Sequence, residues 1–177
     1  MSSPRFVVLE GLDGAGTTTQ AGLLADALRD RGLAVCSTAE PTDGPLGRVL
    51  RAHVRSEISL GPLTAALTFT ADRADHLERT IRPALDRGEW VVSDRYLLST
   101  VAYQGAEGVD PERILQASSD FAIPDLTVYL DVPSAELAAR LEQRRRTDRY
   151  ERPNFAERLR GAYERSIALL RSRVHRI

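Results

Sequence analysis

FVVLEGLDGAGTTTQ, residues 6–20, decides the fold. Phe6 to Leu9 is a short unbroken apolar run that leads through Glu10 into the glycines, the pattern of a strand buried on both faces of a parallel sheet. From Gly11 to Thr18 the order is glycine, four residues, glycine, then Thr-Thr, which is the phosphate-loop pattern except that Thr17 stands where such loops carry lysine. Gly11, Gly14 and Gly16, with Ala15 between the last two, let backbone N–H groups turn inward as an anion nest. The start of the following helix at Thr17 adds its positive dipole end, and Thr19 falls in its first turn. Thr18 offers a hydroxyl to a Mg²⁺ ion. The competing reading is an ordinary glycine-rich turn between strand and helix. Thr17 can hydrogen-bond a phosphate oxygen but supplies no charge, and a lost fixed stabiliser of this kind costs on the order of 10² to 10³ in rate. The loop alone therefore supports binding of phosphate more strongly than its transfer.

Working outward, 177 residues with 42% apolar content suit a single domain with one core. The 24 basic and 25 acidic residues nearly cancel, so net charge points to neither nucleic acid nor an anionic membrane. Every basic residue is arginine, whose planar fork holds oxyanions where lysine presents a point charge. The lone Cys36, in LAVCST, reads as a buried strand thiol, and a reducing cytoplasmic setting fits. MSSPRFVVLEG is too short in apolar residues for a signal peptide, and no later run reaches the length of a membrane span.

Further strands are expected at Trp90 to Ser93, Leu126 to Leu130 and Leu33 to Ser37. Helices are expected at Thr17 to Arg31, Pro45 to Ile58, Pro62 to Arg87, Pro111 to Phe121, Ser134 to Arg145 and Asn154 to Arg173, several opened by Pro or a capping residue. Gly32 suits a helix end, and Pro83 should kink or split its helix near Arg82. Strands alternating with helices at this spacing predict an α/β three-layer sandwich, a parallel sheet with helices on both faces. Its ligands lie at the carboxyl ends of the strands.

With AEPTDGPLGRVLR, LTFTADRADHLERTIRPALDRGEWVVSDRYLLSTVAYQG, PDLTVYLDVP and RLEQRRRTDRYE added to the loop, the chain resembles the thymidylate kinase family nearly end to end. The phosphate loop is shared with many nucleotide-binding proteins, whereas DRYxxSxxAYQG together with the Glu-Pro loop is highly specific. The resemblance implies a P-loop kinase fold with a small lid, transfer from ATP to dTMP with Mg²⁺, and a homodimer. It implies that Phe69 stacks on thymine and that Arg73 bonds its edge. Their i, i+4 spacing puts both on one helix face, although Phe69 also suits simple core packing and Arg73 an ion pair with Asp72 or Asp75.

Asp94 ends the strand WVVSD, where an acid can reach a metal, and Arg95 can clamp phosphate with both arms; the family uses them so. By resemblance Tyr103 lies against the sugar, Ser99, Thr100 and Gln104 make further pocket contacts, Asp13 meets the 3′-hydroxyl, and Arg51 serves the dTMP phosphate. Glu40 and Pro41 shape the loop beside it. The segment from about residue 140 to 153 corresponds to the family's lid. Members place a catalytic arginine in the phosphate loop or in the lid. Here the loop position is Gly14, so Arg144, Arg145, Arg146 or Arg149 should supply it, Arg145 and Arg149 foremost. A solvated helix end paired with Glu142 and Asp148 is the plainer reading of that segment. Family members usually run past the last helix into another strand, where this chain has VHRI. The alternative to a kinase is a nucleotide-binding relative with little turnover, for which Thr17 is the argument. His53, His76 and His175 lack metal-ligand spacing, and basic residues cluster only at the lid.

Overall fold

The structure is a computed structural model, and it describes residues 5–142, 149–150, 153–170 and 173–177. Five strands form an entirely parallel sheet: β1 (Phe6–Gly11), β2 (Val35–Ala39), β3 (Trp90–Asp94), β4 (Leu126–Leu130) and β5 (Val174–Arg176), in the order β2-β3-β1-β4-β5. β1 is central, with Phe6 beside Val91 and Val7 beside Leu126. Its alternate residues explain the unbroken apolar run. Val7 and Leu9 pack with Ala21, Ala25 and Leu28 of α1 (Thr17–Arg29), while Phe6 and Val8 join Leu77, Ile81, Ala84 and Tyr96 on the opposite face. A strand buried on both sides has no polar face to alternate with.

α2 (Pro45–Val54) and α3 (Pro62–His76) follow β2. α3 runs into a π-helical turn, Leu77–Ile81, and then α4 (Arg82–Asp86). Pro83 explains the interruption: it has no N–H for the carbonyl of Arg79, and its ring would press on that carbonyl, so the wider turn accommodates both. α5 (Leu97–Ala106), α6 (Pro111–Ala117), α7 (Ser134–Glu142) and α8 (Pro153–Leu169) complete the chain. Asp110 caps α6 by accepting from the Glu112 N–H at 3.0 Å. α5 was not among the expected helices, and β2 lies two residues beyond its expected start. β5 is only three residues long and pairs with β4.

Gly47 is required by a close approach. A Cβ there would lie 1.8 Å from the carbonyl oxygen of Thr42, so α2 abuts the Glu40–Thr42 loop backbone directly. That loop follows β2 and faces the phosphate loop.

Candidate active site

The phosphate loop lies at the carboxyl end of β1. Gly14 (φ 86°) and Gly16 (φ 94°) take left-handed conformations that let the chain turn its N–H groups toward one centre. Gly11 and Ala15 are buried; Thr18 and Thr19 are exposed on the first turn of α1. Thr17 is 6% exposed, and its Cγ2 lies 3.3 Å from where a Cβ on Gly11 would be, so it is folded into the loop. Thr18 Oγ1 donates to Asp94 Oδ2, while Asp94 Oδ1 is buried without a hydrogen-bond partner. A hydroxyl beside a carboxylate with spare lone pairs is a donor set that suits a hard divalent cation. Among the described residues no cluster of three or more His, Cys, Asp or Glu side chains forms a closed metal cage.

Arg95, next in the chain, has φ 71°, which costs a residue that carries a Cβ about 1–2 kcal/mol. Its contacts hold it there. Nη1 donates to Gly11 O (2.9 Å), Ser99 Oγ (3.0 Å) and Tyr163 Oη (3.2 Å), and Nη2 to Asp13 Oδ1 (2.7 Å). The guanidinium also lies 5.3 Å from the ring centre of Tyr103. Burial pushes the Tyr103 hydroxyl well above its ordinary pKa against the opposing charge of Arg95, so the ring is neutral.

Beside this cluster is a cavity of about 210 Å³ lined by Asp13, Glu40, Pro41, Phe69, Arg73, Arg95, Ser99, Thr100, Tyr103 and Gln104, joined by Val54, Tyr96 and Tyr150. The structure thus brings together residues from the phosphate loop, the Glu-Pro loop, α3 and α5. Arg73 is 1% exposed; its Nη2 donates to Glu40 Oε2 (2.6 Å) and Thr100 Oγ1 (2.7 Å), whereas Nε and Nη1 have no partner. Glu40 is held in turn by His76 Nδ1 at 3.0 Å, and His76 Nε2 meets Thr38 Oγ1 at 2.6 Å. Gln104 Nε2 donates to Tyr150 Oη (3.2 Å), leaving Oε1 unpaired. A buried cation with two idle donors, an idle acceptor and a half-buried phenyl ring can bind one flat polar ligand.

Two expected residues lie elsewhere. Arg51 donates to the carbonyls of Pro41 (2.9 Å) and Thr42 and pairs with Asp43, lining a neighbouring open cleft of about 780 Å³ with Thr18 and Asp94. Arg149 points to Glu107 (3.4 Å) and Ser59 (3.5 Å), and its N–H donates to Val54 O. Arg144, Arg145 and Arg146 lie outside the described residues.

The sequence reading missed Glu10, Tyr163, His76 and Tyr150. Glu10 carried a signal, an acid closing an apolar strand; the others carried none, because their partners are far away in the chain. Fully buried Glu10 takes the Tyr96 and Ser99 N–H groups on Oε1 (2.9 and 3.1 Å) and the Ser99 hydroxyl on Oε2 (2.5 Å). It thus caps α5, the helix that carries Ser99, Thr100, Tyr103 and Gln104, from the neighbouring strand.

A glycine loop between the central strand of a parallel sheet and its helix, beside a pocket lined by the buried Arg73 and the partly buried Arg95, defines a P-loop nucleotide kinase. Comparison narrows the class: the chain belongs to the thymidylate kinase family, whose model, described as thymidylate kinase, matches residues 9–177. A thymidylate kinase of Bordetella petrii is 48% identical over 165 residues, covering 90% of this chain and 79% of that one. A probable thymidylate kinase of Caldivirga maquilingensis is 42% identical over 148 residues, 83% and 72% of the two chains. The crystal structure of thymidylate kinase from Ehrlichia chaffeensis superposes with a TM-score of 0.78 at 30% identity, over 99% of this chain and 89% of that chain.

Proposed function

We propose that this chain transfers the γ-phosphoryl group of ATP to dTMP, giving dTDP and ADP. The observation that carries the acceptor reading is Arg73, buried with two unpaired donors in a cavity beside the phosphate loop. A thymine ring laid on Phe69 would offer a carbonyl to those donors, with Thr100, Ser99 and Gln104 completing the rim and Glu40 holding Arg73 in place. Tyr103 closes the sugar side.

The loop from Gly11 through Gly14, Ala15, Gly16 and Thr17 to Thr18 and Thr19 receives the ATP phosphates through backbone N–H groups. Thr18 and Asp94 would hold Mg²⁺, which when bound neutralises charge on the transferring group. Arg95 exchanges Asp13 for the dTMP phosphate, which frees Asp13 to accept from the 3′-hydroxyl; Arg51 approaches the same phosphate. A dTMP phosphate oxygen attacks the γ-phosphorus, the bond from it to the β-bridging oxygen breaks, and ADP departs. The acceptor phosphate is itself the nucleophile, so no side-chain base and no covalent enzyme intermediate are needed, and positioning with charge neutralisation does the work. Arg145 and Arg149, in a lid on this single domain, close over the transferring group.

Release of ADP from Mg-ATP should require dTMP and be far slower with dUMP, dCMP or dGMP. Absence of dTMP-dependent release, with dTMP binding still detected by calorimetry, would overturn the reading in favour of a binding protein without turnover, an alternative that the relatives do not support. A homodimer is part of the proposal. What supports it is the apolar side of α2 and α3, where Leu46, Val49, Leu63 and Leu67 are between 37% and 55% exposed; sedimentation tests it. The cytoplasm, where both nucleotides are at hand, is the expected location; no described helix is long and apolar enough to cross a membrane.

A further inference from the structure

The phosphate loop has no cation of its own. Thr17 occupies the lysine position with its side chain packed against Gly11, and the chain contains no lysine to reach in from elsewhere. Among the described residues, Arg95 and Arg140 are the guanidinium groups bonded to carbonyls of the loop. Arg95 sits on the acceptor side at Gly11 O, tied to Asp13, Ser99 and Tyr163. Arg140 comes from the other side, in the last turn of α7. Its Nη1 donates to Gly14 O (3.1 Å) and Ala15 O (3.4 Å), and the same nitrogen lies 3.9 Å from where a Cβ on Gly16 would be. Gly14 to Gly16 is the part of the loop that turns its N–H groups toward the anion.

Among the described residues, the remaining partner of Arg140 is Glu136, one helical turn back, at 2.5 Å. Both side chains of that pair are about half exposed, 44% and 52%. Exposed i, i+4 pairs are held weakly, so leaving Glu136 for a phosphate oxygen sacrifices little, whereas a triphosphate offers several negative charges and geometry that suits the guanidinium fork. Among the described residues, the other arginines near the site hold partners away from the phosphate-loop carbonyls: Arg73 has Glu40 and Thr100, Arg51 has Pro41, Thr42 and Asp43, and Arg149 has Glu107 and Ser59.

We propose that Arg140 is the cation that serves the donor phosphates in place of the loop lysine, releasing Glu136 to bind a β- or γ-phosphate oxygen when the loop fills. The inference rests on the reading of the loop as a triphosphate cradle, and its test separates the two. Wild type, Arg140→Ala, Arg140→Lys, Thr17→Lys and the Thr17→Lys/Arg140→Ala double variant are compared in dTMP-dependent ADP release and in calorimetric binding of Mg-tripolyphosphate, a probe with no base or sugar. Arg140→Ala should lower kcat on the order of 10²-fold and weaken tripolyphosphate binding about tenfold, with Arg140→Lys recovering part of each. With lysine restored at position 17, the same deletion should cost less than about threefold, because the two cations do one task. Equal losses in both backgrounds, or weaker ATP binding with tripolyphosphate binding unchanged, would overturn the proposal. Should dTMP not be phosphorylated at all, the kinase reading fails, and the tripolyphosphate comparison still decides for or against Arg140.

Discussion

Replacing Glu10 by Gln tests the frame on which the acceptor pocket hangs. Glu10 is fully buried, and burial raises its pKa from 4.5 to about 7 against the lowering effects of Arg95, the Ser99 side chain and the Ser99 and Tyr96 N–H groups. Between those two values the folded chain keeps the proton that the unfolded chain has lost. Its contribution to stability is therefore whole below about pH 4.5 and lost as pH rises through about 7. At about 1.4 kcal/mol per unit, that window amounts to about 3.5 kcal/mol in full. Gln retains a carbonyl for the Tyr96 and Ser99 N–H groups and cannot ionise. Urea unfolding of both proteins should thus show the wild type losing about 3 kcal/mol relative to Glu10→Gln between about pH 5 and about pH 8, since other titrating groups cancel in the difference. Parallel stability curves for the two proteins across that range would refute the reasoning, because a buried carboxyl that titrates normally cannot be the desolvated cap described here.

Other perturbations probe neighbouring contacts. Glu40→Ala strands Arg73, 1% exposed, without its counter-charge and should cost about 3–5 kcal/mol in chemical denaturation; a loss below about 1 kcal/mol would mean the pair is not load-sharing in the core. Gly47→Ala places a methyl 1.8 Å from Thr42 O and should cost at least about 1–3 kcal/mol while raising KM for dTMP, because the Glu-Pro loop must move. Phe69→Ala should raise KM for dTMP about tenfold with kcat changed much less; an unchanged KM would assign Phe69 to packing alone.

What the residues disclosed depended on whether chemistry or packing chose them. The strand-loop-helix of residues 6–20 was legible because a doubly buried strand and a glycine nest each demand particular residue types. α5 was not legible as a helix, although its sequence motif was the most specific in the chain. Residues 98–104 are buried all round, against α8, α6, α3 and β1, so LLSTVAYQGA shows no polar stripe from which a helical period can be read. β2 is an edge strand with no buried residue along it, and its hydropathy slides easily by two positions. Pro83 announced a break but not its form; the π turn arises one turn earlier, where the missing N–H is felt. Arg140 was overlooked as a site residue because its partners are backbone carbonyls far away in the chain, which leave no trace in side-chain patterns.

The pocket also sets a test of base selectivity from its polar inventory alone. Arg73 Nε and Nη1 are buried donors without acceptors, each an unmet hydrogen bond worth about 1–3 kcal/mol. A ring with a carbonyl at that edge relieves the deficit on binding. Where thymine carries its 4-carbonyl, cytosine carries an amino group, so with that edge on Arg73 donors face a donor, and the arginine cannot deprotonate to adapt. Size discriminates poorly between two pyrimidines that differ by a methyl and an amino group, whereas an unpaired buried donor discriminates strongly. The ratio of kcat/KM for dTMP over dCMP should accordingly be about 10³ to 10⁵. A ratio near ten would show that Arg73 is satisfied by something other than the base, and that Phe69 and the walls of the cavity, rather than this guanidinium, select the substrate.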